Sequence, residues 1–182
     1  MTQKIDVGRC FVTGGAGFIG SHMVEKLLAD GNTVTAYDNL SSGRRKWIEH
    51  LDNNPHFTFI RADLLDLTSL KKAMASHDII IHLGANTDIP IGKSNPRIDL
   101  ENDIIATFNV LEAMRASDVQ RIIFASSSTV FGETSVRPTP ETIGPLLPLS
   151  LYGAGKLAGE GLISAYCHLF NMQAWIFRFS NV

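Results

Sequence analysis

Residues 10–20 have the sequence Cys-Phe-Val-Thr-Gly-Gly-Ala-Gly-Phe-Ile-Gly, in which an apolar run leads into Gly14, Gly17 and Gly20 at intervals of three. An apolar strand, a glycine-rich turn and the start of a helix are typical of a dinucleotide-binding site. One glycine permits the sharp turn, another lets backbone N–H groups approach a pyrophosphate, and the last permits close packing of helix on strand. The helix N-terminus then faces the negative charge of the ligand.

A carboxylate follows at the end of the second predicted strand, where Asp38 lies eighteen residues after Gly20. At this position it can accept hydrogen bonds from an adenosine ribose, and its charge would repel a 2′-phosphate, which favours NAD over NADP. The alternative is that Asp38 only starts the turn formed by residues 38–43. Asp63 follows the third predicted strand, where it either meets the adenine edge or serves as a helix N-cap or a surface carboxylate.

The rest of the chain alternates short β-rich runs with longer amphipathic ones, the pattern of a parallel sheet covered by helices on both faces. We therefore predict an α/β fold, a Rossmann-type doubly wound parallel sheet in a three-layer α/β/α arrangement. The predicted strands span residues 10–13, 33–38, 58–61, 79–83, 121–126 and 173–179. The predicted helices span residues 17–30, 44–53, 69–75, 96–117 and 152–170. Residues 132–150, which hold four of the seven prolines, are expected to form a long irregular loop.

Composition places these 182 residues among globular proteins, because 45% of them are hydrophobic, enough to bury a sizeable core. Sixteen basic residues against eighteen acidic ones give a net charge of −2 without a basic cluster, so neither nucleic acid nor an anionic membrane surface is an expected partner. No apolar run is long enough to span a bilayer. Two cysteines and six histidines show no ligand spacing, so we expect no metal site and a cytoplasmic location.

Three side chains late in the chain have the chemistry of an acid/base site. Tyr152 and Lys156 are four residues apart in a predicted helix and project from the same face, although this spacing alone is more often a solvated helix surface. We expect Lys156, together with a positive nicotinamide ring, to lower the pKa of Tyr152 from about 10 until it can act as a base. Ser127 ends the fifth predicted strand and could hydrogen-bond a substrate oxygen beside the tyrosine, although Ser126 and Ser128 flank it.

Seven short motifs along the chain match the pattern of one known family. They are Thr-Gly-Gly-Ala-Gly-Phe-Ile-Gly at 13–20, Asp38-Asn39-Leu40, Asp63-Leu64, His82-Leu83-Gly84-Ala85, Ser-Ser-Ser-Thr-Val-Phe-Gly at 126–132, Tyr152 to Lys156, and Arg178-Phe179-Ser180-Asn181. On these residues the chain resembles the extended short-chain dehydrogenase/reductase family and, within it, nucleotide-sugar epimerases of the UDP-glucose 4-epimerase type. The resemblance covers essentially the whole chain.

The resemblance implies roles for individual residues. It makes Ser127, Tyr152 and Lys156 the catalytic group, with Ser127 twenty-five residues before the tyrosine, and it places Ser127, Tyr152 and Asn181 at the sugar nucleotide. The cofactor it implies is NAD. The residues implied to bind NAD are Gly14, Gly17, Phe18, Ile19, Gly20, Asp38, Asn39, Asp63, Leu64, Leu83, Gly84, Ala85, Tyr152 and Lys156.

The chain departs from the family pattern at Asp103, where asparagine is usual, and at Ala106, where glycine is usual. In the resembling family the helix over residues 96–117 and the helix that bears Tyr152 pair across a dimer, so a homodimer is expected. The chain ends directly after the sixth predicted strand. We therefore expect residues 1–182 to be an NAD-binding Rossmann domain, the N-terminal part of a longer protein whose substrate-binding region follows.

Three functions are compatible with these features. The first is an NAD-dependent nucleotide-sugar 4-epimerase of the UDP-glucose/UDP-galactose type, which oxidises the sugar transiently to a 4-keto form. The second is a dehydratase, decarboxylase or ketoreductase of the same family, although dehydratases place acids directly after the catalytic hydroxyl residue, where this chain has Ser128 and Thr129. The third is a non-catalytic NAD-binding protein, which would have no reason to keep the serine, tyrosine and lysine together.

Overall fold

A six-stranded sheet forms the centre of the computed structural model, which describes residues 4 and 6–180. The strands are β1 (Arg9–Thr13), β2 (Thr33–Asp38), β3 (Phe57–Arg61), β4 (Ile79–His82), β5 (Arg121–Ser127) and β6 (Gln173–Phe179). Their order is β3-β2-β1-β4-β5-β6, and every neighbouring pair runs parallel. The connections change direction between β1 and β4, and in a doubly wound sheet this switch point is where ligands bind.

Helices cover both faces of the sheet. They are α1 (Phe18–Ala29), α2 (Leu67–Met74), α3 (Ile89–Ser94), α4 (Arg97–Asp99), α5 (Ala106–Ala116) and α6 (Leu151–Phe170). A π-helical segment, Leu100–Ile105, joins α4 to α5, and 3-10 helices span Arg45–Trp47, Glu49–Leu51 and Ser128–Phe131. Residues 132–150 form an irregular loop, as their prolines predict. In the part of the chain that the structure describes, no helix is long and apolar enough to cross a membrane.

Two apolar clusters, one on each face of the sheet, make up the core. Successive side chains of a strand point to opposite faces, so Phe11 packs into one cluster while Cys10 and Val12 pack into the other. Leu70 of α2 lies in the first cluster, together with side chains of α5 and α6, and Val24 of α1 lies in the second. The predicted three-layer α/β/α fold is therefore confirmed.

The prediction of a helix over residues 44–53 is wrong. This stretch forms two 3-10 helices that meet at Ile48, whose φ of −130° and ψ of −3° interrupt the helical path. Ile48 is fully buried in the core, and the guanidinium of Arg45 lies 4.6 Å from the centre of the Phe59 ring. Packing of these two side chains against the sheet overrides the local helical pattern.

The helix α3 was not predicted, although its start carries two helix signals. The carboxylate of Asp88 caps it by accepting the Ile91 N–H, and a proline occupies its first turn. The helix predicted over residues 96–117 is present, but as α4, the π-helical segment and α5 in succession. The six predicted strands are confirmed to within one residue at each end.

Candidate functional site

The glycine turn lies between β1 and α1, at the carboxyl edge of the sheet. Gly14 has a φ of +66°, a left-handed conformation that favours glycine, and a Cβ there would lie 2.9 Å from the backbone nitrogen of Gly84. A Cβ at Gly20 would collide with the carbonyl oxygen of Gly14. Gly17 is the N-cap of α1. The first turn of this helix carries no acidic side chain, so no negative charge of the helix itself offsets the positive end of its dipole.

A cleft of about 530 Å³ opens in front of this turn, within the size range of ligand sites. It is lined by every described residue that the sequence predicts to bind NAD or to act in catalysis: Gly14, Gly17, Phe18, Ile19, Gly20, Asp38, Asn39, Asp63, Leu64, Leu83, Gly84, Ala85, Ser127, Tyr152 and Lys156. Asn181 lies outside the described residues. The backbone of the glycine turn forms a cradle that a Cβ atom would fill, and the Asp38 carboxylate lies at the end of β2. Together these two features fit a dinucleotide such as NAD.

Further side chains line the cleft without having been predicted to do so. They include Tyr37, Ser41, Ser42, Trp47, Thr87 and Ile89. Ser41, Ser42 and Thr87 lie in connections between elements, where single residues carry no periodic signal. The position of Trp47 in particular follows from the docking of Ile48 into the core, which only the folded chain reveals.

Asp38 joins the glycine turn to the loop that follows β2. Its Oδ2 accepts the Ala16 N–H at 2.9 Å and its Oδ1 accepts the Leu40 N–H at 2.8 Å. A Cβ at Gly43 would lie 2.8 Å from the carboxylate, so the loop packs directly on it. The turn-forming role is therefore real, and each oxygen keeps a further lone pair that can accept a hydrogen bond from a ribose hydroxyl.

Asp63 lies near Asp38, at the same end of the cleft. Its Oδ2 accepts a hydrogen bond from the Asn39 amide at 2.9 Å, and its Oδ1 accepts the Leu65 N–H at 2.9 Å. The alternative that Asp63 caps a helix is wrong, because Asp66 is the N-cap of α2. Asp63 thus fixes the loop after β3 in a position that leaves it lining the cleft.

Asp38→Asn is expected to reduce the preference for NAD over NADP at least tenfold, because it removes the charge that repels a 2′-phosphate but keeps an oxygen acceptor for the backbone. Calorimetric titration of both cofactors measures the ratio of dissociation constants. Asp38→Ala should give the same loss of preference with a lower unfolding temperature, since it also removes the acceptor of two backbone N–H groups. An unchanged ratio in the asparagine variant would contradict this role of the charge.

The acid/base group is assembled from β5 and α6. Ser150 caps α6 by accepting the Gly153 N–H at 3.0 Å, which sets the helix so that Tyr152 and Lys156 face the cleft. The Lys156 ammonium donates to the carbonyl oxygen of Ala125 at 2.9 Å and lies 5.7 Å from the centre of the Tyr152 ring. Ser127 lines the same cleft and interacts with the Tyr152 side chain, so the structure brings the three residues together.

Ser126 and Thr129, close to Ser127 in the sequence, hydrogen-bond to groups other than Tyr152. The Ser126 hydroxyl donates to Glu160 at 2.5 Å, and Glu160 is also paired with Arg178 at 2.8 Å. The Thr129 hydroxyl donates to the Ser127 Oγ at 2.9 Å. Of the three consecutive serines, Ser127 is thus the one that meets the tyrosine, a choice that the sequence left open.

The pKa of Tyr152 in the chain by itself is set by burial and by neighbouring groups. Burial raises the pKa of Tyr152, the Ser127 hydrogen bond opposes this, and the nearby carboxylates of Asp103 and Asp99 raise the pKa further. Burial also lowers the pKa of Lys156 to about 8, against the attraction of Asp103. In the chain by itself, burial outweighs the hydrogen bond that favours the phenolate. The lowering of the tyrosine pKa that is expected from Lys156 and a nicotinamide ring together stays a prediction.

His82, in β4 behind the cleft, is a core histidine. Its Nδ1 lies 2.7 Å from the Thr13 hydroxyl and its Nε2 lies 3.1 Å from the Thr107 hydroxyl. Complete burial lowers the pKa of His82 to about 3, so it is neutral at physiological pH. Among residues 4 and 6–180, no group of three histidine, cysteine, aspartate or glutamate side chains could hold a metal ion.

The comparison with known families and curated proteins agrees with this geometry. The family model described as the NAD dependent epimerase/dehydratase family matches residues 10–182. A UDP-glucose 4-epimerase of Mycolicibacterium smegmatis is 38% identical over 168 residues, which are 91% of this chain and 53% of that protein. A UDP-glucuronic acid decarboxylase 1 of Xenopus tropicalis is 32% identical over 180 residues, 97% of this chain and 41% of that protein.

Solved structures give the same result. A UDP-galactose 4-epimerase is 42% identical with a TM-score of 0.84, over 93% of this chain and 55% of that one. The Brucella ovis UDP-glucose 4-epimerase in complex with NAD is 29% identical with a TM-score of 0.88, over 96% of this chain and 52% of that one. The chain spans about half the length of the curated relatives it matches. The matched family is NAD-dependent, which confirms the predicted cofactor.

Proposed function

Because the chain belongs to the NAD dependent epimerase/dehydratase family, we propose that the whole protein is a nucleotide-sugar 4-epimerase acting on a UDP-hexose. The observation that carries the proposal is the presence of Ser127, Tyr152 and Lys156 in the same cleft as the glycine turn. Relatives and solved structures named as epimerases reach 39% and 42% identity. Decarboxylases match at 32% to 34%, so the reaction needs its own test.

We infer the place of each part of the cofactor from the residues that line the cleft. The pyrophosphate would lie against the N-terminus of α1, the adenosine ribose at Asp38, and the nicotinamide end between Gly84 and Lys156. NAD bound there supplies a reversible acceptor for the hydride of the sugar carbon. Because the same hydride returns to the sugar, the reaction consumes no external reductant.

Proton transfer is the task of the chain's own side chains. Tyr152 takes the proton of the sugar hydroxyl as the carbonyl forms, and returns it when the hydroxyl is restored. Ser127 hydrogen-bonds the same sugar oxygen and, through its contact with Tyr152, favours the phenolate. The Lys156 ammonium, held by the Ala125 carbonyl oxygen, supplies positive charge beside the tyrosine during the transfer.

Epimerisation is favoured over dehydration by the residues that follow Ser127. Elimination of water from a keto sugar needs an acid near the leaving hydroxyl, and Ser128 and Thr129 occupy the positions directly after Ser127. Thr129 is also bound to Ser127 rather than free in the cleft. These contacts support a site that takes a proton from the sugar and returns it, without elimination of water.

The test is incubation of the whole purified protein with UDP-glucose, UDP-galactose, UDP-glucuronic acid and dTDP-glucose, without added cofactor. We expect interconversion of UDP-glucose and UDP-galactose with no change in mass, and NAD released on denaturation. A product that has lost water would indicate a dehydratase, and one that has lost carbon dioxide a decarboxylase. Bound NAD without any product would favour the non-catalytic alternative.

The homodimer and the cytoplasmic location stay predictions. The face that the dimer would use carries exposed apolar side chains on the π-helical segment and α5: Leu100 is 49% exposed, Ile105 is 41% and Phe108 is 40%. Burial of such a patch against a second copy would be favourable at roughly 25 cal/mol for each Å² removed from water. Sedimentation of the whole protein measures its mass in solution.

A further inference from the structure

Two carboxyl groups lie side by side behind Lys156. Asp99 and Asp103 belong to consecutive turns of the helical segment after α3, and each is only 2% exposed. One residue, Asn86, donates a hydrogen bond to one oxygen of each carboxyl group. Its backbone N–H donates to Asp103 Oδ1 at 3.0 Å, and its side-chain amide donates to Asp99 Oδ1 at 2.8 Å.

The other two oxygens of the pair lack a donor. Asp99 Oδ2 and Asp103 Oδ2 are both buried, and neither accepts a hydrogen bond from any described group. A hydrogen bond between the two carboxyl groups, which their common contact with Asn86 brings together, would supply the missing donor. Two carboxylate oxygens can make such a bond only if one of them carries a proton, and a buried charged acceptor without a donor is costly.

Two glycines exclude water from the pair. A Cβ at Gly92 of α3 would collide with Asp99 Oδ2, and a Cβ at Gly155 of α6 would lie 2.7 Å from the Cβ of Asp103. Any residue other than glycine at position 92 or 155 would therefore keep α3 or α6 farther from the carboxyl groups. On these two sides there is no space for a side chain or a water molecule that could donate a hydrogen bond to Asp99 Oδ2 or Asp103 Oδ2.

The charged and titratable groups around Asp103 come from three elements. Lys156 and Tyr152 face it from α6, Asp99 lies on its own helical segment, and His82 of β4 is neutral. Burial raises the pKa of Asp103 to about 7 despite the attraction of Lys156. Asp103 in turn raises the pKa of Lys156 against the effect of its burial. The carboxyl pair thus favours the protonated form of Lys156, and the ammonium favours the ionised form of Asp103.

We propose that Asp99 and Asp103 share one proton and serve as the counter-ion of Lys156, and that Asp103 is a positioning residue which acts through the charge of this pair. While the shared proton is bound, the pair carries one negative charge, which balances the ammonium. Once the pH rises through neutrality and the proton is released, a second negative charge holds the ammonium more strongly and opposes ionisation of Tyr152. The consequence for turnover rests on the proposed function, whereas the sharing of the proton does not.

The residue type at position 103 gives the pair its titratable proton. In the family pattern that the chain resembles, an asparagine is usual there, and Asp103 replaces it. An asparagine amide could donate to Asp99 Oδ2 without carrying a charge or a titratable proton. Asp103→Asn is therefore a conservative substitution that keeps the hydrogen bond and removes the titration.

The first test is NMR of the whole protein labelled with ¹³C at the aspartate carboxyl carbons, titrated from about pH 4 to about pH 9. We expect one carboxyl signal to titrate near pH 7, and this titration to be lost in Asp103→Asn and in Asp99→Asn. Asp118→Asn, the same substitution at an exposed carboxylate, should leave it in place. Ionisation of every aspartate below about pH 5 in the wild type would overturn the proposal, even if neither variant folds.

The second test compares pH profiles of turnover for the wild type and Asp103→Asn. The two profiles should coincide below about pH 7 and separate above it, because only there do the two proteins differ in charge. The NMR titration of Lys156 should also move to lower pH in the variant, by about one unit. A uniform change in turnover at every pH would indicate a structural role and overturn the proposal. If the whole protein proves not to be an epimerase, the carboxyl and lysine titrations still decide whether Asp99 and Asp103 share a proton beside Lys156.

Discussion

Tyr152→Phe is expected to lower turnover of a UDP-hexose by about 10²- to 10⁴-fold, the usual loss when a general acid/base is removed. The substitution deletes only the phenolic hydroxyl. The phenylalanine ring can still occupy the same place, 5.7 Å from the Lys156 ammonium, so the fold and the binding of NAD should survive. Steady-state rates together with calorimetric titration of NAD separate the loss of chemistry from a loss of binding.

The matched control for this variant is Tyr166→Phe. The Tyr166 hydroxyl donates to Glu112 at 2.7 Å, on the far half of α6, and does not line the cleft. Removal of that hydroxyl should cost about 1 kcal/mol of stability, the typical net value of one hydrogen bond, and leave turnover unchanged. Near-normal turnover in Tyr152→Phe would remove the acid/base role and leave a tyrosine that only happens to lie one turn from a lysine.

The sheet could be predicted from the sequence because its central strands are buried on both faces. Val12 of β1 and Ile80 of β4 are fully buried, as are their neighbours, so these strands are continuous apolar runs bounded by polar residues. The carboxyl ends of the strands carry Gly14, Asp38 and Ser127, and parallel strands bring all their carboxyl ends to one edge. Placing these residues in one cleft therefore needed only the strand order.

Features that depend on contacts between distant segments could not be predicted in this way. The helical pattern of residues 44–53 does not reveal that Ile48 enters the core and breaks the helix. Asn86 meets Asp99 and Asp103 only because the loop after β4 folds over the helical segment. A motif of tyrosine and lysine four residues apart gives their common face, but not the burial that decides the direction of their pKa shifts.

Lys156→Met is expected to affect binding as well as rate, unlike the tyrosine variant. The methionine keeps the apolar part of the side chain against Phe124, whose ring centre lies 5.0 Å from the lost ammonium. The carboxyl pair of Asp99 and Asp103 then has no counter-ion, and its charge acts on Tyr152 without opposition. Since these carboxylates raise the pKa of Tyr152, the tyrosine should ionise at still higher pH in the variant.

The measurements are the pH profile of turnover, the dissociation constant of NAD and the same quantities for Lys93→Met, an identical substitution at an exposed position of α3. For Lys156→Met we expect turnover at neutral pH to fall about 10²-fold or more, the lower limb of the profile to move to higher pH, and NAD to bind about tenfold more weakly. The movement of the limb is the decisive result, because lost packing would lower the rate equally at every pH. A lower limb at the wild-type position, with turnover reduced, would mean that Lys156 supports the cleft but does not control the ionisation of Tyr152.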